Sequence, residues 1–170
     1  MTAGVQQLML EVERVRDRFH EAVYAAGDLD AALGAAADDC VLVNTPTGTG
    51  AAGAPALRRY LAEDVLPHLP ADLHVERISR TVDRWRVVEE ATVGFTHDRE
   101  LPWLLPGVPA THRRAEVLSI SVVSVRHSLV TSHRTLWDVT GLLAQLHLDL
   151  DPDLDSDSDR DLDRDLDRAR

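Results

Sequence analysis

The sequence of 170 residues contains no lysine, so all 18 of its basic residues are arginines. Its formal net charge of −11 disfavours nucleic acid and anionic membranes as partners, because both bind basic surfaces that neutralise phosphates. The one cysteine, Cys40, excludes an internal disulfide and is expected to be a small core residue. There is no apolar run of about 18 residues and no charged-then-apolar leader, so we expect a cytoplasmic protein.

Aromatic residues are also scarce: there are seven, three of them tryptophan, so most must lie in the core or line a pocket. Residues 1–148 are long enough to form one domain with its own core. The remaining segment, Asp149–Arg170, holds ten Asp and four Arg. Asp is a poor strand former and these charges repel one another, so residues 149–170 are predicted to be a disordered tail.

The first third of the chain is predicted to be mainly helical. Apolar residues recur three or four positions apart over Val5–Ala26, which indicates a first helix. Asp28 can cap a short second helix that ends near Ala37, and Pro55 opens a third that stops before Pro67. Between them, Cys40–Asn44 reads as a strand that leads into a mobile, glycine-rich turn.

Beyond Ala71 the helical period gives way to segments rich in Val, Ile, Thr and Trp, which predict an antiparallel sheet. A long apolar loop, Asp98–Thr111, is expected to be a lid or a contact surface. A final helix begins at Asp138, giving an α+β fold. The four predicted strands are Leu73–Val82, Trp85–His97, Arg114–Arg126 and Leu129–Trp137.

This element order resembles the NTF2-like cone, in which three N-terminal helices pack on a curved antiparallel sheet and a C-terminal helix closes the domain. Over roughly residues 19–148, motifs resemble those of the SnoaL-like polyketide cyclase family. They are Phe95-Thr96-His97, Thr111-His112-Arg113-Arg114, and Ser132-His133-Arg134 through Trp137-Asp138 to Leu146. A closer likeness, to NTF2-like domains found alone or attached to dienelactone-hydrolase-type proteins, rests on Asn44–Gly50, Phe95–Glu100 and Trp103–Pro109.

The resemblance implies that Asp138 is the catalytic acid or base, since it matches the family's aspartate before the closing helix. Desolvation inside the cone would raise its pKa toward neutrality. The alternative is an ordinary helix cap on a solvated turn. Arg134 has the same strand parity as Asp138, so the two either share the pocket or form a salt bridge. A bend could instead turn His133 or Trp137 inward.

Other residues are candidates for contact with a substrate. His97 could polarise a substrate carbonyl, or it could be a residue at the end of its strand that hydrogen-bonds to a loop carbonyl. Either Glu89 or Glu90 must point inward, and we select Glu90 for the site while leaving the choice open. Hydrogen bonds could come from Asn44 and Tyr60, and an apolar wall could come from Trp85, Phe95, Trp103 and Trp137, each of which could equally be core.

Cofactor chemistry finds little support in the sequence. The histidines are scattered without a zinc motif, the glycine-rich loop lacks the Lys-Ser/Thr of a phosphate loop, and no Gly-x-Ser-x-Gly occurs. We therefore predict no metal, no cofactor, no nucleotide and no covalent intermediate.

Three functions remain open. The first is a cyclase or isomerase of secondary metabolism that acts on a polyketide-like carbonyl compound by proton transfer, with Asp138 as acid/base and His97 or Arg134 steadying the oxyanion. The second is epoxide opening, which requires two inward carboxylates. The third is a non-catalytic binding or dimerisation domain. Poor alternation in the strands also predicts a homodimer through the outer sheet face.

Overall fold

The computed structural model describes residues 3–148, which form a six-stranded sheet with helices packed on one face. The predicted tail, residues 149–170, lies outside the described residues. The helices are α1 (Ala3–Glu21), α2 (Leu29–Gly34), α3 (Ala54–Tyr60) and α4 (Val139–Leu146). A π-helical turn extends α1 over Ala22–Ala26, and α3 continues through a π turn, Leu61–Val65, and a 3-10 turn, Leu66–His68.

The helices follow the apolar periodicity closely. Val12, Val15 and Phe19 form the buried face of α1, as the spacing predicted. Asp28 caps α2 by accepting a hydrogen bond from the backbone N–H of Ala31 at 2.9 Å. This helix ends at Gly34, earlier than expected, because the next strand already begins at Ala36.

The strands are β1 (Ala36–Asn44), β2 (Thr49–Ala52), β3 (His74–Val82), β4 (Arg86–Thr96), β5 (Arg114–Arg126) and β6 (Leu129–Trp137). They lie in the order β2-β1-β6-β5-β4-β3. The four predicted strands of the second half are confirmed. Their antiparallel pairing is confirmed too, and the one parallel pair among the described strands, β1 with β6, brings in a strand from the first half of the chain.

Strand β2 replaces the predicted mobile turn. It pairs antiparallel with β1, and Gly50 lies opposite Val43. The φ angle of Gly50 is 148°, and a Cβ atom there would lie 2.0 Å from the carbonyl oxygen of Leu42. Glycine is therefore what lets β2 approach β1, so this glycine serves a close backbone contact rather than a mobile loop.

The long loop between β4 and β5 is part of the core, which corrects the expectation of a lid or contact surface. Leu101, Trp103, Leu104 and Leu105 are each at most 4% exposed. Burying four large apolar side chains holds the loop against the body of the domain. Among residues 3–148, no helix is long and apolar enough to cross a membrane.

Candidate active site

A cavity lies between α1 and the inner face of the sheet and opens to solvent. Leu73 lies just before the edge strand β3 and is half-buried, and Val75 of β3 is 38% exposed, so the cavity opens toward that edge. Its other apolar lining residues are Ala91, Val93, Trp103 and Trp137. Its polar lining residues are Arg16, His20, Tyr24, Glu89, Ser119, Ser121, His133 and Thr135.

The floor of the cavity is a polar patch at the centre of the sheet. Strand register places Ser121 of β5 directly between Glu89 of β4 and Thr135 of β6. Ser119 lies between Ala91 and Trp137 in the same way. These residues interrupt a face that is otherwise apolar, because side chains two positions apart share one face of a strand. The centre of the sheet therefore offers these hydroxyl and carboxylate groups to the cavity.

The roof is built by α1. Arg16, His20 and Tyr24 are spaced four residues apart, which places them on one side of the helix. The rings of His20 and Tyr24 are 4.8 Å apart, and the Tyr24 ring is 6.2 Å from that of Trp103. The ring centroids of Trp103 and Trp137 are 5.7 Å apart, so neighbouring aromatic rings extend from the roof of the cavity to its floor.

A buried ion network anchors the roof to the floor. Arg16 of α1 donates to Glu89, and the two side chains are only 7% and 4% exposed. Arg80 of β3 donates to the other oxygen of Glu89 at 2.6 Å and to Glu13 and Asp17 at 2.8 Å each. Burial alone would raise the pKa of Asp17, but hydrogen bonds from Arg80 and Arg16 hold it below its usual value.

The two cavity histidines are neutral at pH 7. Burial, reinforced by the positive charge of Arg16, lowers the pKa of His133 to about 4 and that of His20 to about 3. His133 Nε2 lies 3.3 Å from the hydroxyl of Thr135, whereas His133 Nδ1 has no hydrogen-bond partner among residues 3–148. A neutral imidazole with one uncommitted nitrogen can accept or donate a proton toward a ligand.

Asp138 does not lie in the cavity, and the expectation that it faces a desolvated chamber is wrong. Its side chain is exposed and accepts a hydrogen bond from the backbone N–H of Gly141 at 2.9 Å. It is the N-cap of α4, which is the alternative that the sequence left open. The carboxylate satisfies the first turn of the helix and points to solvent rather than to a substrate.

Arg134 and Glu90 are also on the wrong side of the sheet for the site. Arg134 is exposed on the outer face, and no ion pair joins it to Asp138 within residues 3–148. Glu90 accepts a hydrogen bond from Ser79 at 3.1 Å, while its neighbour Glu89 is the inward carboxylate. Selecting Glu90 was wrong, because the sequence alone did not fix which strand parity faced inward.

His97 and Phe95 are inward but outside the cavity. His97 is fully buried, with Nδ1 3.1 Å from the hydroxyl of Thr111, and burial lowers its pKa. Phe95 is 1% exposed within the hydrophobic core. Neither residue lines the cavity, so the structure gives neither one contact with a substrate there.

Asn44 and Tyr60 are engaged with protein groups instead of the cavity. The Asn44 amide donates to the carbonyl oxygen of Trp103 at 2.8 Å and to the Tyr60 hydroxyl at 3.2 Å. Its oxygen accepts from the indole of Trp137 at 3.4 Å. Of the predicted substrate-binding residues, the structure brings Trp103, His133 and Trp137 together at the cavity.

Several cavity residues escaped sequence reasoning. Arg16, His20 and Tyr24 carry a detectable signal, since a polar row at four-residue spacing runs beside the apolar stripe of α1. Ser119 and Ser121 share the parity of buried valines in β5, which is unusual for hydroxyl side chains. His133, Thr135 and Trp137 alternate along β6, so regular strand geometry places all three on the same face and no bend is needed to turn them inward.

We predict that Glu89→Gln lowers the free energy of unfolding by about 3 kcal/mol, because it removes the one negative partner that Arg16 and Arg80 share in a buried setting. Urea unfolding measures this change. Glu90→Gln is the matched control on the outer face and should stay within about 0.5 kcal/mol of the parent. Equal losses in the two variants would contradict the burial of the ion network.

His133 should make stability depend on pH. Its pKa is about 4 in the folded chain against an ordinary value of 6.5, so the unfolded chain binds more protons between these values. Its contribution is fully present above pH 6.5 and falls by about 3 kcal/mol as pH drops to 4. Urea unfolding of the parent and of His133→Gln from pH 7.5 to 4 should show a shallower decline in the variant. Parallel profiles would contradict a buried neutral imidazole.

Comparison with solved structures places the fold among known proteins. A SnoaL-like polyketide cyclase from Jannaschia sp. CCS1 superposes with a TM-score of 0.66 at 16% identity, covering 88% of this chain and 98% of that one. An LEH-like epoxide hydrolase of M. tuberculosis superposes with a TM-score of 0.61 at 19% identity, covering 82% of this chain and 91% of that one. A protein with a ketosteroid isomerase-like fold from Catenulispora acidiphila DSM 44928 superposes with a TM-score of 0.60 at 18% identity, covering 79% of this chain and 93% of that one.

These similarities show that the domain has the NTF2-like α+β fold predicted from the element order. No curated protein matches the chain. The sequence model of the SnoaL-like polyketide cyclases matches residues 14–146, a span that includes the helical roof, the long core loop and all the strands. The chain therefore belongs to the SnoaL-like polyketide cyclase family.

Proposed function

We propose that this chain is a small cyclase- or isomerase-type enzyme that moves a proton on an apolar carbonyl compound, using its own side chains rather than a cofactor. The observation that carries the proposal is a largely apolar cavity in which the neutral imidazole of His133 has one nitrogen without a hydrogen-bond partner in the part of the chain that the structure describes. Membership of the polyketide cyclase family supports the same reaction class. Secondary metabolism and a cytoplasmic location are proposals that rest on family and composition.

In this proposal His133 takes the acid/base role that the family resemblance implied for Asp138. In the required tautomer, His133 Nε2–H donates to Thr135 and Nδ1 holds the lone pair. Nδ1 removes a proton from the carbon next to the substrate carbonyl, and the C–H electron pair forms the enolate double bond as charge moves to oxygen. The imidazolium then returns that proton to another carbon in an isomerisation, or to the alkoxide formed by aldol attack in a cyclisation.

The surroundings of His133 suit a short-lived charge separation. Burial and Arg16 disfavour its protonated form in the empty cavity, but an enolate formed beside it stabilises the imidazolium. Burial also raises the pKa of Tyr24, so its hydroxyl stays protonated and can donate to the oxyanion. Glu89 is a poorer base for this step, because both of its oxygens are held by guanidinium groups.

The other two functions are less well supported. Epoxide opening by two carboxylates requires a second inward acid, and Glu89 is the one Asp or Glu among the cavity residues of the described chain. A purely structural domain would be filled by its own side chains and would pair Arg134 with Asp138. Within residues 3–148 the cavity is present and that pair is not formed.

The closer likeness to dienelactone-hydrolase-associated NTF2-like domains is also a proposal. Its support is that two of the segments that carry it meet in space. Asn44 and Thr49 both donate to the carbonyl oxygen of Trp103, at 2.8 Å and 2.7 Å. Shared motifs that contact each other are more informative than motifs that are scattered over a surface.

A homodimer through the outer sheet face is the partner proposal. Five apolar side chains on this face, here called the outer apolar patch, are each 40–44% exposed: Val41, Val88, Leu118, Ile120 and Leu136. Ile120 is in register with both Leu136 and Glu90, and Arg134 lies on the same face. A second copy with the same patch would cover the apolar centre and could set Glu90 against Arg134.

Sedimentation equilibrium tests the dimer. The parent protein should have about twice the 18.8 kDa mass of one chain, and Ile120→Arg should be a monomer because it places a charge in the patch. Ile78→Arg is the matched control, since Ile78 is 55% exposed outside the patch on the edge strand β3. A monomeric parent would rule the dimer out.

Proton transfer is tested by exchange of the C2 protons of 1-tetralone in D₂O, followed by NMR. The parent should accelerate exchange, and His133→Gln should reduce the catalysed rate by about 10²-fold or more. Asp138→Asn should remain within about twofold of the parent, because it keeps an exposed cap. Loss of exchange in Asp138→Asn but not in His133→Gln would restore the aspartate assignment, and no acceleration by the parent would contradict the proposed chemistry.

A further inference from the structure

Two tryptophans line the cavity, and their indole N–H groups are in different states. Trp137 Nε1–H donates to the side-chain oxygen of Asn44 at 3.4 Å. Trp103 Nε1 has no hydrogen-bond partner among residues 3–148, although the side chain is only 1% exposed. Buried polar groups are nearly always paired in folded proteins, so an orphan donor on a cavity residue calls for an explanation.

The position of Trp103 is held by its backbone. The carbonyl oxygen of Trp103 accepts from the Asn44 amide at 2.8 Å and from the Thr49 hydroxyl at 2.7 Å. The following N–H groups, of Leu104 and Leu105, both donate to Leu101, at 2.9 Å and 2.7 Å. The backbone is thus fixed at the tryptophan and in the two residues that follow it.

The chemistry of the orphan group restricts what can complete it. An indole nitrogen only donates, so its partner must be an acceptor atom. Charges beside the cavity are already compensated, since Arg16 and Arg80 face Glu89, Asp17 and Glu13. An additional carboxylate would find no free cation in this network, whereas a neutral carbonyl oxygen meets the requirement without new charge.

We propose that Trp103 is the specificity-determining donor of the cavity, bonding the carbonyl oxygen of a neutral ketone through its indole N–H. Asn44 and Thr49 are positioning residues that act through the Trp103 backbone. This inference rests on the proposed function and deepens it, because it names the group on the substrate that the cavity recognises. Trp137 contributes an apolar ring to the same wall while its N–H is occupied by Asn44.

Binding of a matched ligand pair tests the proposal. 1-Tetralone and tetralin share a carbon skeleton and differ in the carbonyl group, so the ratio of their dissociation constants isolates recognition of the oxygen. Trp103→Phe keeps an aromatic ring and removes the N–H, and it should reduce preference for the ketone about three- to tenfold. Trp137→Phe is the matched control and should leave the ratio within twofold, even if both ligands bind more weakly.

The positioning role has its own variant. Thr49→Val removes one of the two bonds to the Trp103 carbonyl from a residue that does not line the cavity. It should lower the ketone preference in the same direction as Trp103→Phe but by less, whereas a general loss of stability would weaken both ligands equally. An unchanged ratio in Thr49→Val would overturn the positioning role.

NMR of the parent protein keeps the test independent of variant folding. The indole N–H resonance of Trp103 should shift downfield with 1-tetralone and not with tetralin. The proposal is overturned if Trp103→Phe weakens both ligands equally, or if the resonance responds equally to both. Ketone selectivity in a parent that catalyses no proton exchange would defeat the proposed function and leave this inference standing.

Discussion

The shared pairing of Glu89 with two arginines is the interaction on which the arrangement of the domain depends. Arg16 reaches it from the helix above the sheet and Arg80 from the edge strand, so one buried carboxylate joins three elements. Buried charges are stable only when they are paired, and removing the carboxylate would leave Arg16 and Arg80 with only the partly exposed carboxylates of Asp17 and Glu13. The network holds α1 above a floor of small hydroxyl residues, which leaves the cavity open between them.

Within this frame, the chemistry of the cavity arises from what is left unpaired. The charged groups pair with one another in the ion network, and the indole N–H of Trp137 donates to Asn44. Neutral groups with unused hydrogen-bonding capacity remain among the cavity residues of the described chain, including the imidazole of His133 and the indole of Trp103. A site of neutral donors and acceptors in an apolar wall suits an uncharged carbonyl compound.

The sequence predicted most of the elements but only part of the site. Helical spacing, the Asp28 cap and the four later strands were readable because each depends on local periodicity. Strand parity grouped His133 with Thr135 and Trp137, yet it could not say which face was inward, and the motif match drew attention to Asp138 instead. The parallel β1–β6 pair and the Arg80 network join residues distant in sequence, which no local pattern reveals.

The sheet order has a consequence for how the domain is made. Strand β6 carries His133, Thr135 and Trp137, and it lies between β1 and β5 rather than at an edge. Its parallel partner precedes it by about 90 residues, so this contact closes a long loop and is expected to form slowly. During synthesis, the strand that completes the floor of the cavity leaves the ribosome last among the strands, and until then β1 and β5 expose unpaired edges that a chaperone could recognise.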